Sequence, residues 1–199
     1  MRRVFPSDYN HGFRAEAGIV SEADMDILET LKNRRSCRAY KPELISKDAL
    51  ERIIEAGKYA ATGMGKQSPI IVAVSDKQTR DELSAMNAAF LAAPAHGSND
   101  PFYGAPQVLV VLADKSVPTY LYDGSLVLGN MMNEASSIGV GSCWIHRAKQ
   151  MFESEAGKAL LAKWGISGDY EGIGNLVVGY PDGDVPAAKP RKEGYVHYV

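Results

Sequence analysis

The chain has 199 residues, a net charge of −2, 45% hydrophobic and 23% charged residues, and two cysteines. That length makes one domain able to bury a sizeable core without staples, and 24 acids against 22 Lys and Arg exclude a broad nucleic-acid-binding face. No apolar run reaches the ~18 residues of a membrane span and no apolar signal core follows Met1-Arg2-Arg3, so a cytoplasmic protein with neither nucleic acid nor membrane as partner is expected.

Residues 1–20 have no periodicity and read as an N-terminal arm ahead of a domain over 21–199. Ser21 stands as an N-cap with Asp24 three residues on, and Met25, Leu28 and Leu31 share a face, which predicts a helix to about Asn33. The stretch Asn33-Arg34-Arg35-Ser36-Cys37-Arg38-Ala39-Tyr40-Lys41-Pro42 then crowds four cations and a hydroxyl into a short connection. Guanidinium forks bind phosphate with paired hydrogen bonds, so Arg34, Arg35 and Arg38 around Ser36 suit one half of a phosphate clamp, with Lys189-Pro190-Arg191-Lys192 as the other. The plainer reading leaves the arginines compensating a helix C-terminus and the late run solvated.

Ser46 starts a helix to about Ala60, with Ile45 placed to pack on Leu50 and with Ile53, Ile54, Gly57 and Ala61 at helical spacing. A glycine-bearing loop, Thr62 to Pro69, leads into a buried strand over Ile70–Val74. It is not a P-loop: Ala60 stands where glycine is needed, Gln67 where Ser or Thr is needed, and the order is helix, loop, strand. Ser75 or Asp76 caps a third helix with Leu83, Met86 and Phe90 on one face, fading after Ala93. A polar loop from Ala95 to Tyr103 precedes the strand Val108–Leu112.

A long helix from about Tyr122 to Ile138 is apolar on most sides, which fits a central position or one shared with a second subunit. Gly139-x-Gly141 follows it but lacks the third glycine of a dinucleotide fingerprint. Phe152, Ala156, Leu160 and Leu161 mark a helix to Trp164, and Asn175–Val178 a strand. Tyr195–Val199 has strand composition and needs an edge to pair with.

Five pieces in order carry a resemblance: Arg34-Arg35-Ser36-x-Arg38 with Lys41-Pro42; Ala60-Ala61-Thr62-Gly63-Met64-x-x-Gln67; Gly104-Ala105-Pro106 before a strand; Gly139-Val140-Gly141-Ser142-Cys143-Trp144-Ile145; and Gly179-Tyr180-Pro181 with Lys189-x-Arg191. Together the stretch from Glu22 to Arg191 resembles the FMN-dependent nitroreductase family. The resemblance implies an α+β fold with a mostly antiparallel central sheet flanked by helices, built as an intertwined homodimer with FMN at the interface. It also implies an oxidoreductase that takes hydride from NADH or NADPH and reduces a small-molecule acceptor, such as a nitroaromatic or quinone, by ping-pong turnover. The alternatives are a member using reduced flavin for dehalogenation or flavin cleavage, and a flavin-binding protein without turnover.

By similarity, Arg34, Ser36, Lys189 and Arg191 would hold the FMN phosphate, Arg35 the ribityl region and Arg38 the pyrimidine edge of the isoalloxazine. Thr62, Gly63, Met64 and Gln67 would approach the flavin, partly from the other subunit, as would the stretch Trp144-Ile145-His146. Two departures stand out. His146-Arg147 occupies the place where many members have Gly-Gly or Glu-Gly, and Lys66 precedes the loop glutamine, where it reads as solvated. No side chain is expected to act as catalyst in place of the flavin, and no metal site is expected. Cys143 and His146 lack a third orienting group, so Cys143 reads as a buried inert thiol and Cys37 as a small residue packed under the cations.

Overall fold

The computed structural model describes residues 27–92, 99–184 and 186–199. The expected arm over 1–20, the Ser21 cap and the first part of the Ala95 to Tyr103 loop lie outside the described residues. The frame is one sheet in the order β1-β2-β4-β3, antiparallel throughout, made of β1 (Pro69–Val74), β2 (Gln107–Asp114), β3 (Gly141–Ile145) and β4 (Tyr170–Gly179). The helices are α1 (Ile27–Asn33), α2 (Lys47–Lys58), α3 (Lys77–Ala88), α4 (Tyr120–Ser137), α5 (Ala148–Glu153) and α6 (Glu155–Lys163).

Strand β2 shows why its run is apolar without a break, since it is buried on both faces. Val108, Val110 and Leu112 share a core with Leu83, Met151, Phe152 and Leu160 of α3, α5 and α6. Leu109, Val111 and Ala113 share another with Ile53 of α2 and Val127, Leu128 and Met131 of α4. The result is the expected α+β architecture, an antiparallel sheet between two helical layers. The register slips once, between Val111 and Leu112, where Ile173 of β4 is passed over as a bulge.

Within the single chain Tyr195–Val199 forms no strand, and Tyr195 and Tyr198 stay exposed. Two expectations are corrected. The helix expected through Phe152 to Trp164 is two, since Ser154 takes an extended backbone (φ −71°, ψ 158°), ends α5, and caps α6 by accepting from the Gly157 N–H at 3.1 Å. Helix α3 stops at Ala88, and its buried stripe is Arg80, Leu83, Ser84 and Asn87. Phe90 lies off that stripe and is exposed.

The polar members of the stripe fasten the segment leading into β2. Asp100 accepts from the Ser84 hydroxyl, from Arg80 Nη2, and from the backbone N–H groups of Phe102 (2.9 Å) and Gly104 (2.8 Å). Arg80 Nε donates to the Ala105 carbonyl at 2.8 Å, and its guanidinium lies 5.5 Å from the centre of the Phe102 ring. Burial pushes the Asp100 carboxyl up, but these donors outweigh it and hold the carboxyl below the usual carboxylate range.

A depressed folded-state pKa means that the stabilisation is present above the unfolded value of ~3.9 and is lost as pH falls through the folded value. We therefore expect Asp100→Asn to cost about 2–3 kcal/mol at pH 7, the cost of unmaking charge-assisted bonds. In urea unfolding the gap to the parent should narrow below pH 4; a gap independent of pH would contradict this account.

Candidate functional site

Helix α1 ends where Arg34 N–H donates to the Thr30 carbonyl at 2.8 Å, and the cation-bearing stretch leaves it to run from the outer edge of β3 to the residues that follow β4. Ser36 bridges Ser142 in parallel, Cys37 N–H donates to Ser142 O at 2.9 Å, Lys41 N–H to Tyr180 O at 2.9 Å, and Asp182 N–H to Ala39 O at 3.0 Å. Cys37 and Tyr40 turn inward as buried anchors, and the Tyr40 hydroxyl donates to the Cys37 carbonyl at 2.8 Å.

The approach is close because two glycines paired across β3 and β4, Gly141 and Gly179, form the floor. A Cβ on Gly141 would lie 2.8 Å from Cys37 Sγ, and one on Gly179 2.9 Å from Tyr40 Cδ1. Burial pushes the Cys143 thiol up, against the lowering pull of Arg38, Ser36 and Arg34, so it remains a protonated, inert packing group as read from the sequence.

The segment thus brings Arg34, Arg35, Ser36 and Arg38 together on a rigid edge. Arg35 Nη1 donates to the Arg34 carbonyl. Arg34 Nη1 is buried without an acceptor among the described residues, an expensive state for a cation unless an anion completes it. Among the described residues, the arginine ion pairs belong to Arg52 and Arg80, not to these. Beside the segment lies a cavity of about 270 Å³ that joins Arg38 to Tyr103, Trp144, Ile145, His146 and Arg147. Asp182 and Asp184 share a second cavity with Ser36 and Arg38. An anionic headgroup with a flat apolar body fits this donor set: a buried orphan cation at one end, aromatic and aliphatic walls at the other.

Lys189 and Arg191 are not joined to that cluster. Both are exposed on the terminal stretch, and Arg191 Nη2 donates to the Lys189 carbonyl. The glycine loop is also apart. It precedes β1, while the cation segment lies outside β3, and the two occupy opposite ends of the strands: Pro69 pairs with Ala113, whereas Ser142 pairs with Val178, itself opposite Gln107. Four strand spacings across and six residues along amount to a diagonal of roughly 28 Å. Thr62, Gly63, Met64 and Gln67 therefore stand at one corner of the sheet and Arg34–Arg38 at the other.

The loop is built around a residue that sequence reasoning missed. Asp123, buried in the first turns of α4, accepts from Gly63 N–H at 3.0 Å, from the Ser68 hydroxyl at 2.7 Å and from the Thr119 hydroxyl at 3.1 Å. Burial raises its carboxyl, and the three donors bring it net below the ordinary value. Gly63 cannot carry a side chain, for its Cβ would lie 2.3 Å from Thr119 Oγ1. Met64 and Gln67 take left-handed backbones (φ 52° and 50°), Gln67 N–H donates to Thr62 Oγ1 at 3.1 Å, and Met64 projects into solvent. The available signal was a single acid in the first turns of an otherwise apolar helix. Asn87 and its hold on Arg147 were missed as well.

Hydroxyls can reverse from donor to acceptor, so Asp123→Asn should keep the Gly63 bond and cost only about 1 kcal/mol, whereas Asp123→Ala should cost about 2–4 kcal/mol by orphaning three groups. Chemical denaturation of both variants checks the order, with proteolysis within 62–67 expected to rise in the alanine variant alone. Equal losses would mean that Asp123 does not hold the loop.

Comparison with known proteins places the chain in a family. The Nitroreductase family matches residues 31–180. A nitroreductase with bound FMN from Bacteroides fragilis superimposes with a TM-score of 0.79 at 28% identity, covering 88% of this chain and 99% of that one. Another with bound FMN, from Desulfitobacterium hafniense, does so with a TM-score of 0.78 at 25% identity and the same coverage. A protein of Archaeoglobus fulgidus provisionally named NADH dehydrogenase/NAD(P)H nitroreductase is 29% identical over 161 residues, 78% of this chain and 86% of its own length. The FMN reductase (NAD(P)H) of Bacillus subtilis is 23% identical over 188 residues, 83% and 70% of the two chains. The chain belongs to the nitroreductase family.

Proposed function

We infer that this protein is an FMN-dependent oxidoreductase that uses NADH or NADPH to reduce an organic acceptor such as a nitroaromatic or a quinone. The observation that carries this is the buried Arg34 Nη1, which has no acceptor among the described residues, on a segment of clustered arginines beside a cavity walled by Tyr103, Trp144 and Ile145. A phosphomonoester brings about −1.5 to −2 charges, which matches a site with several cations that form no ion pair among the described residues.

In this reading Arg34 and Ser36 hold the phosphate with Lys189 and Arg191, Arg35 faces the ribityl chain, and the backbone of Trp144-Ile145-His146 lies along the ring. When bound, FMN supplies the two-electron chemistry, accepting hydride from the nicotinamide and passing reducing equivalents to the acceptor. The part of Arg38 is electrostatic: a permanent cation at the ring's pyrimidine edge favours the more negative, reduced form. Donor and acceptor use one flat cavity in turn, hence ping-pong kinetics.

The other ring contacts come from a second copy of the chain. Thr62–Gln67 lies too far from Arg34–Arg38 to touch the same ring within one protomer, and apolar side chains surround it: Tyr59, Met64, Leu121, Tyr122 and Leu126 are exposed. A homodimer brings the loop of one copy to the cation segment of the other and covers this surface. The two cysteines, buried and unpaired, suit a reducing cytoplasm. No helix among the described residues is long and apolar enough to cross a membrane.

The purified protein should be yellow, run at twice the chain mass, and release FMN on denaturation; a colourless preparation that takes up no added FMN overturns the reading. Arg34→Ala and Arg191→Ala should each weaken FMN binding about tenfold or more, the loss of a charge-assisted contact of roughly 1.5–3 kcal/mol, while circular dichroism stays unchanged. Initial rates over a grid of nicotinamide and acceptor concentrations should give parallel double-reciprocal lines. Intersecting lines would mean a ternary complex and remove the shared-cavity account.

A further inference from the structure

Arg147 takes a left-handed backbone, φ 76°, which a residue with a side chain adopts only at an energetic cost. Something holds it there. Its Nε and Nη2 donate to Asn87 Oδ1 at 3.1 and 3.0 Å. Asn87 is fully buried, and its Nδ2 donates to the His146 carbonyl at 2.8 Å. One buried amide thus fixes both the backbone turn and the guanidinium that borders the cavity.

That the anchor is an amide decides the electrostatics. An aspartate at this position would hold the guanidinium as well but cancel its charge; Asn87 positions the cation and leaves it positive. No carboxylate among the described residues pairs with Arg147 or with Arg38, which lines the same cavity. With Arg38 assigned to the flavin edge, Arg147 is the second cation among the residues that line this cavity, beside Tyr103 and Trp144. An uncompensated planar cation beside aromatic walls suits a flat ring that carries a negative group.

The geometry points to a specificity device resting on the flavin reading above: the Asn87–Arg147 pair selects electron acceptors that bear a carboxylate or sulfonate on an aromatic or quinone ring. Arg147 here is the residue that touches the acceptor, and Asn87 is a positioning residue acting through it.

The test compares matched acceptors, 4-nitrobenzoate with 4-nitrobenzyl alcohol and 1,4-naphthoquinone-2-sulfonate with 1,4-naphthoquinone, on the FMN-loaded enzyme. The ratio of kcat/KM, charged over neutral, should fall roughly tenfold in Arg147→Gln relative to the parent, mainly through KM, as expected for one charge-assisted contact. Asn87→Asp should lower the ratio as well, by setting a carboxylate against the guanidinium and by removing the donor to the His146 carbonyl, and Arg147→Lys should recover part of it. Should the glutamine variant not fold, the Asn87→Asp and Arg147→Lys variants decide alone. Calorimetric titration of 4-nitrobenzoate into the oxidised holoenzyme reads the same contact without turnover, with Kd expected to rise about tenfold in Asn87→Asp. A ratio that the variants leave unchanged, or a change confined to the nicotinamide KM, overturns this inference and leaves the flavin reading standing. A parent protein that takes up no FMN overturns both.

Discussion

Seating the stretch Ser36–Lys41 against Ser142 of β3 and against Tyr180–Asp182 just beyond β4 is the contact on which the candidate site depends. Arginines on a free loop would repel one another and drift apart. Here three backbone hydrogen bonds and the inward pair Cys37 and Tyr40 fix the chain that carries them, each bond worth about 1 kcal/mol net. Such a fit needs a floor without side chains, which the paired Gly141 and Gly179 provide. The same segment pairs with the outer edge of β3 at Ser142. Charge clustering, strand protection and the Gly139-x-Gly141 motif are therefore one structural solution.

How much of this the sequence disclosed follows from how local each signal is. Strand β2 and helices α2 and α4 were legible because their burial obeys a short period or fills a whole window with apolar residues. The motif order gave the family and the fold, which the matched family and the sheet bear out. The buried face of α3 was not legible, because Arg80, Ser84 and Asn87 earn their burial from partners in other segments. Asp123 and Asn87 escaped for the same reason: Gly63 and Arg147 each stand 60 residues from their anchor. The break at Ser154 was hidden by apolar residues that keep helical spacing on both sides of it.

The placement of the two halves of the proposed site at opposite corners of the sheet has a physical logic. A flavin held wholly within one chain would leave the glycine loop without a task and the surface around Tyr59, Met64 and Tyr122 in water. At about 25 cal/mol per Å² of apolar surface removed from solvent, a few such side chains supply several kcal/mol to an assembly. In the proposed dimer, loop and cation segment would meet only when two copies join, so that cofactor binding and association reinforce each other.

Charge distribution argues in the same direction. The chain has more acids than Lys and Arg, and elsewhere it spends them: Arg52 meets Glu134, Arg80 meets Asp100, and Lys149 meets Glu153 and Glu171. Among the described residues, Arg34, Arg35, Arg38 and Arg147 receive none. A protein selected for stability alone would neutralise or remove such a cluster, because like charges held together and a buried guanidinium nitrogen without an acceptor both oppose folding. Keeping them unpaired is intelligible if an external anion completes the set, so that the cost borne by the empty fold is returned when that anion binds. The electrostatics of the folded chain alone thus point to a resident ligand with a concentrated negative charge.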